Sequence, residues 1–199
     1  MMGPLIEAVT RSISPYLDKP FALFGHSLGA LVAFELARKL ETFHGPRPAA
    51  FFASAADAPN TRRSVPILHG LPDDELMKKL LALYGTPHEV IQHAEVVQLL
   101  LPAIRADLHV FETYTYEPGL PIRCPIWAFG GTQDEQVRSW ALEGWRKETT
   151  ASFSLTMFTG DHFFLLSARS QLLKVLRANL DSMLQSIPQI DMHRPEHIG

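Results

Sequence analysis

The sequence is poor in features that several classes of protein require. Cysteine occurs once, at Cys124 beside an apolar run, which excludes an internal disulfide framework and indicates a buried thiol. Charge is nearly balanced, with 18 lysines and arginines against 21 aspartates and glutamates, so the composition does not favour a nucleic-acid partner. Every apolar run falls well short of the roughly 20 residues that span a membrane, and the N-terminus lacks the basic start and apolar run of a signal peptide. We therefore expect a cytoplasmic protein without a nucleic-acid or membrane partner.

Motifs for metals and cofactors are also missing. The nine histidines are scattered and there is no cysteine pair, so no group of residues has the spacing of a metal site. The phosphate-binding pattern G-x-G-x-x-G does not occur. The sequence therefore predicts neither a metal nor a cofactor.

Short apolar stretches alternate with helical ones along most of the chain. Buried strands are predicted at 21–25, 49–55, 123–131 and 153–160. Helices are predicted at 3–17 and 28–42, and a leucine stripe beginning at Leu172 predicts a closing helix. This alternation predicts an α/β fold with a parallel sheet and helices on both faces. A chain of 199 residues suits a single domain, 1–199.

The middle of the chain departs from this alternation. Helices are predicted at 72–85 and 87–100, and a third at 103–114 after an interruption at Pro102, with no strand between them. The sequence therefore predicts a helical insertion at 72–114, where a lid over the sheet would lie.

The stretch "FGHSLGA" contains a G-x-S-x-G motif that runs from Gly25 to Gly29. A predicted strand ends at its first glycine and a predicted helix begins at Leu28, which is the context of a nucleophile elbow. There the helix N-terminus directs free N–H groups at the oxyanion that forms on the substrate. Ser27 is therefore a candidate nucleophile. The alternative is a simple strand-to-helix turn in which Ser27 caps the helix.

A serine nucleophile needs a histidine base, and His162 is the best placed of the nine histidines. It follows the last predicted strand in "FTGDHFFLL", in a glycine-containing loop before the final helix. His26, inside the motif, is expected to point away from Ser27. The other histidines are expected in polar loops or on the insertion: His44, His69, His88, His93, His109, His193 and His197.

The histidine in turn needs a carboxylate, and in this chain order the carboxylate lies between the serine and the histidine. Asp134, in the loop after the third strand, is the favoured candidate. Asp57, after the second strand, is the alternative, because some proteins with this arrangement carry the acid there. Asp161 directly precedes His162, and neighbouring residues rarely have the geometry for the Nδ1 contact.

Three stretches together resemble the type II thioesterases of polyketide and nonribosomal peptide synthesis. They are "PFALFGHSLGALVAFELARKL", "CPIWAFGGTQDEQV" and "FTGDHFFLL", in the order and at the spacing of that family. The resemblance runs from about residue 3 to 187. It implies an α/β-hydrolase fold and hydrolysis of acyl thioesters from the phosphopantetheine arm of acyl or peptidyl carrier proteins.

The resemblance also implies roles for individual residues. Ser27 would be the nucleophile, Asp134 and His162 would complete the triad, and the backbone N–H of Leu28 would be one oxyanion donor. The segment 72–114 would be the lid. Three aromatic residues could line its acyl pocket: Phe111, Tyr114 and Tyr116.

The N-terminal part of the family pattern is not found in this sequence. Members carry several dozen residues ahead of the elbow, including the first strands and a His/Gly-rich loop that supplies a second oxyanion donor, whereas about twenty precede it here. We therefore expect a truncated sheet with strand 21–25 at an open edge. Losing one oxyanion donor typically lowers turnover about 100- to 1000-fold.

Two other functions remain open at this point. The same triad would serve a generic serine esterase acting on small oxygen esters, because fold and triad do not fix the substrate. The chain could also be an inactive remnant that only docks a carrier protein.

Overall fold

The computed structural model describes residues 1–42, 45–61, 66–84 and 94–186. Four strands form its sheet, namely β1 (Ala22–His26), β2 (Ala50–Ser54), β3 (Ile126–Gly131) and β4 (Phe153–Phe158). Helices lie before β1, in the connections between strands and after β4: α1 (Met2–Ile13), α2 (Leu28–Thr42), α3 (Asp73–Tyr84), α4 (Ala94–Thr113), α5 (Ser139–Glu143), α6 (Phe164–Ser167) and α7 (Arg169–Ser186). Short 3₁₀ helices occur at Ser14–Tyr16, Pro59–Thr61 and Gly144–Glu148.

All four strands are parallel and lie in the order β1-β2-β3-β4. Within the described part of the chain, β1 therefore has a neighbour on one side only, and its Phe24 is 45% exposed. Because the strands run in one direction, the loops that follow β1, β3 and β4 emerge at the same edge of the sheet. This arrangement confirms the predicted α/β-hydrolase architecture.

Helices cover both faces of the sheet. Residues alternate along a strand between the two faces, so Phe51 and Ala53 of β2 pack on one side with Trp145, while Phe52 packs on the other with Phe164 of α6. Every residue of β2 is buried, which is the pattern of a central strand in a parallel sheet. The two apolar clusters hold the strand ends in fixed positions for the site.

Helix α4 corrects the prediction of an interruption at Pro102. The structure has a single helix, Ala94–Thr113, with Pro102 inside it. Proline removes the bond to the carbonyl of Gln98 at a typical cost of about 3 kcal/mol. Both residues are exposed, so water can bond that carbonyl, while the neighbouring Leu101 is buried against Leu76 of α3. Tertiary packing thus outweighs the local preference.

The remaining boundaries lie close to the predicted ones. The helix predicted at 28–42 has those bounds, whereas the first helix ends at Ile13 and continues as a 3₁₀ turn. The closing helical stretch is divided at Ala168 into α6 and α7. The predicted start of a helix at 87 lies outside the described residues. Among the helices that the structure describes, none combines the length and apolar character needed to cross a membrane.

Candidate active site

The elbow at Ser27 joins β1 directly to α2. Ser27 has φ 54°, in the left-handed region that residues with a Cβ rarely occupy. Two hydrogen bonds hold it there: its N–H donates to the carbonyl of Ser54 at the end of β2 at 2.8 Å, and its own carbonyl accepts from the N–H of Ala30 at 3.0 Å. Such strain at a single serine is typical of a nucleophile elbow.

Gly25 is required by the close approach of the strand to the helix. A Cβ at this position would lie 2.2 Å from the carbonyl oxygen of Gly29 and 2.5 Å from the Cα of Ala30. Both are backbone atoms of α2 and cannot move aside separately. Gly29 itself faces open space, with nothing within 4 Å of a Cβ added there. Gly25 is therefore required by the packing of β1 on α2, whereas the surroundings of Gly29 have room for a side chain.

Gly25→Ala is expected to lower the free energy of unfolding by about 3 kcal/mol, because the new methyl group forces β1 and α2 apart. Gly29→Ala is the matched control. It is expected to change stability by no more than about 1 kcal/mol, in the stabilising direction, since alanine is the better helix former. Urea unfolding of the two variants measures both values. Equal destabilisation by the two substitutions would contradict the assigned role of Gly25.

His162 and Asp134 are brought together by the loops after β4 and β3. Nδ1 of His162 donates to Oδ2 of Asp134 at 2.8 Å. The side chain of Asp134 is fully buried and that of His162 is 7% exposed. The loops after β3 and β4 are joined by a hydrogen bond from the N–H of Gln133 to the carbonyl of Gly160 at 2.9 Å. Gly160 has φ 139°, a conformation that only glycine adopts readily.

The surroundings of Asp134 favour its ionised form. Burial alone would raise the pKa of the carboxyl group, but the hydrogen bond from His162 and the N–H groups of Val137 and Gln136 together hold the pKa below its ordinary value. Those two N–H groups donate to Oδ1 at 3.0 and 2.8 Å, which leaves Oδ2 for the imidazole. These hydrogen bonds thus hold the carboxylate in one position and keep it ionised.

The other carboxylates considered from the sequence have different places. Asp57 lines the same pocket as Ser27 and His162. Asp161 accepts the N–H of Phe163 at 2.8 Å through its side chain and so caps the turn that carries His162. Of these carboxylates, Asp134 is the one that accepts a hydrogen bond from Nδ1 of His162.

Two pockets open onto the candidate site, and Ser27 and His162 line both of them. The more enclosed pocket has a volume of about 170 Å³ and is lined largely by apolar side chains of α2, α4 and the loops after β2. A wider groove of about 440 Å³ is lined by His26, Leu28 and Phe163 as well. As the first residue of α2, Leu28 has a backbone N–H that no intrahelical carbonyl can accept.

Of the three aromatic residues considered as pocket walls, one is placed there. Phe111 lines both pockets. Tyr114 donates its hydroxyl to Glu35 at 2.6 Å, and Tyr116 donates to the buried Glu148 at 2.8 Å. These two tyrosines fix the chain after α4 to the body of the protein, and burial together with the carboxylate raises the pKa of Tyr116 to about 12.

His26, which the sequence predicts to point away from Ser27, packs against the ring of His162. Its ring lies 5.3 Å from that of His162, centroid to centroid, in an edge-to-face arrangement, and it also lines the wider groove. Nδ1 of His26 lies 2.9 Å from Oγ of Ser54. Burial, together with the neighbouring His162, lowers the pKa of His26 to about 4. A position inside G-x-S-x-G was the one sequence signal for it.

The structure describes two more histidines: His109 lies on α4 and His69 lies in the loop after β2, with their ring centroids 4.6 Å apart. The others fall outside the described residues: His44, His88, His93, His193 and His197. Within the described ranges, no group of three or more histidine, cysteine, aspartate or glutamate side chains could hold a metal ion.

A helix-covered parallel sheet, with a serine on the elbow after one strand and a bonded histidine–aspartate pair after two others, defines an α/β-hydrolase. Within that class the model of the thioesterase domain matches residues 3–180, and the chain belongs to the thioesterase family. It is accordingly a thioester hydrolase.

The chain is also similar to individual proteins. Gramicidin S biosynthesis protein GrsT of Aneurinibacillus migulanus is 39% identical over 180 residues, which are 90% of this chain and 70% of GrsT. The protein named linear gramicidin dehydrogenase LgrE of Brevibacillus parabrevis is 43% identical over 92% of this chain and 71% of its own length. The solved type II thioesterase BorB from the borrelidin biosynthetic cluster is 35% identical, with a TM-score of 0.79 over 90% of this chain and 70% of BorB. The resemblance to type II thioesterases is thereby confirmed.

Proposed function

We propose that this chain removes acyl groups from the phosphopantetheine arm of acyl or peptidyl carrier proteins in a nonribosomal peptide or polyketide pathway. The observation that supports the proposal most strongly is the meeting of Ser27, His162 and the His162–Asp134 bond at one apolar pocket. The names of GrsT and BorB connect those relatives with gramicidin S biosynthesis and with the borrelidin biosynthetic cluster. A cytoplasmic location, where such synthases work, belongs to the same proposal.

The proposed reaction begins with Oγ of Ser27 attacking the thioester carbonyl carbon while Nε2 of His162 takes the hydroxyl proton. The negative charge moves to the carbonyl oxygen, which the N–H of Leu28 at the start of α2 stabilises. The C–S bond then breaks, and the thiol leaves with the proton from His162. The acyl group remains as an ester on Ser27.

Water completes the cycle. His162 removes a proton from a water molecule as it attacks the acyl-serine carbonyl, and then returns the proton to Oγ of Ser27. The products are a carboxylic acid and the regenerated serine. Asp134 keeps the Nδ1 proton of His162 in place throughout and stabilises the positive imidazolium that forms in each half-reaction. In this proposal the segment 72–114, which includes α3 and α4, acts as the lid.

Substrate preference tests this function. The same acyl group is presented as a loaded carrier protein, as an acyl-pantetheine thioester and as an aryl ester, and kcat/KM is measured for each. We expect the carrier-bound thioester to exceed the aryl ester by at least about tenfold, because binding energy from the remote carrier lowers the barrier. Preference for the aryl ester would identify a generic esterase. A folded protein that binds carrier protein without turning over any substrate would be a docking module.

A further inference from the structure

Two segments that carry none of the three proposed triad residues form much of the enclosed pocket. Pro66 and Leu68 line it from the loop after β2, and Leu108, Phe111 and Glu112 line it from α4. The width of the pocket therefore depends on how closely the loop is held against the helix.

Glu112 joins these two walls. Its side chain is 2% exposed. The carboxylate accepts the backbone N–H of Leu68 at 2.8 Å and that of His69 at 3.2 Å, and Nδ1 of His69 also donates to it. A carboxylate at this depth is stable only when donors satisfy it, and hydrogen bonds to an ionised group are stronger than neutral ones. Three donors from the loop thus converge on one side chain of the helix.

A second layer of contacts supports the first. Nδ1 of His109 lies 3.2 Å from Nε2 of His69, and Arg105 donates to the carbonyl of His69 at 2.6 Å while it pairs with Asp73 of α3. Arg105, His109 and Glu112 share one face of α4, since their spacing is close to one and two helical turns. The loop is therefore fixed to α4 at its backbone, its histidine ring and its carbonyl.

We propose that Glu112 determines which acyl groups this enzyme accepts, by holding the Leu68 wall against the Phe111 wall of the pocket. It is a positioning residue for specificity: its carboxylate is engaged by the loop, and it acts on the substrate through the two apolar walls. The inference rests on the proposed function, because it takes the enclosed pocket as the place where the acyl chain binds.

The volume of the pocket indicates the class of acyl group. Its volume is about 170 Å³, and an apolar protein cavity of about 150 Å³ holds one benzene molecule. The enclosed part therefore suits an acyl chain of about six non-hydrogen atoms. Within the enclosed pocket, longer chains require the walls to separate, which the hydrogen bonds to Glu112 oppose.

A chain-length series tests the inference. Acyl-pantetheine thioesters from two to twelve carbons are hydrolysed by the wild type, by Glu112→Gln and by Glu148→Gln. The glutamine at 112 keeps the size of the side chain but loses its charge and turns an N–H₂ group toward the loop donors. We expect the ratio of kcat/KM for the ten-carbon chain to that for the six-carbon chain to rise about tenfold in this variant. Discrimination by pocket size typically has this magnitude.

Glu148→Gln is the matched control. Glu148 is also a buried carboxylate, bonded to Tyr116, and does not line the pocket. We expect its chain-length profile to equal that of the wild type. Arg105→Met, which removes only the outer support of the loop, is expected to shift the profile in the same direction by a smaller factor and provides the test if Glu112→Gln does not fold.

The possible results separate the two proposals. A profile in the Glu112 and Arg105 variants that is unchanged, or lowered equally at all lengths, would overturn the specificity role and leave the proposed function standing. Failure of the folded wild type to hydrolyse any thioester of the series would overturn the proposed function itself.

Discussion

Ser27→Ala is expected to lower kcat for thioester hydrolysis by about a million-fold, the typical loss when a serine hydrolase loses its nucleophile. Without Oγ, no acyl-enzyme can form and water must attack the thioester directly. The fold should survive, because serine and alanine both carry a Cβ and meet the φ of 54° with the same strain. Release of thiol from an acyl-pantetheine thioester measures the rate, and circular dichroism checks the fold.

Ser154→Ala is the control for this variant, since Ser154 is an exposed serine on β4. It should retain full activity. Labelling by a fluorophosphonate adds a second measurement: the wild type and Ser154→Ala should be labelled, whereas Ser27→Ala should not. Activity of Ser27→Ala within tenfold of the wild type, or persistent labelling, would exclude Ser27 as the nucleophile.

Asp134→Asn is expected to lower kcat by about 10⁴-fold while KM changes little, the loss known for the same substitution in a serine protease triad. The asparagine oxygen can still accept the N–H groups of Gln136 and Val137, so the geometry should persist. Its amide group then faces Nδ1 of His162 as a donor. The imidazole must carry its proton on Nε2, where it can no longer accept the proton of Ser27.

Asp57→Asn is the matched comparison for this prediction, because Asp57 lines the same pocket and was the alternative carboxylate. We expect its kcat to stay within about tenfold of the wild type. A large loss in Asp57→Asn together with a small one in Asp134→Asn would transfer the role of the triad carboxylate to Asp57.

The fold was largely predictable because its signals are local. The strands are short apolar runs, and the helix Leu28–Thr42 begins directly after the elbow and has the bounds expected from the sequence. The prediction of an interruption at Pro102 was wrong because a contact between residues far apart in the sequence outweighs a local preference. Proline disfavours a helix interior, but the packing of Leu101 against Leu76 outweighs that preference, and no pattern near Pro102 reveals it.

The candidate site was predictable in its chemistry and less so in its surroundings. G-x-S-x-G and the chain order of aspartate and histidine direct attention to Ser27, Asp134 and His162, and the structure places Asp134 on His162. The contact between Glu112 and the loop at Leu68 has no such signal. It joins residues 44 positions apart in the sequence, and a glutamate near the end of an amphipathic helix usually faces water.

All three residues of the proposed triad lie in the loops that follow β1, β3 and β4. Much of the pocket wall, in contrast, comes from the stretch of sequence between β2 and β3. Bond breaking and choice of substrate are thus encoded in different stretches of one gene. Substitutions in the interval between β2 and β3, or exchange of whole helices, can therefore change the pocket while the triad residues keep their positions. We expect descendants of one ancestral enzyme to diverge fastest in that interval as each adapts to the acyl groups that it hydrolyses.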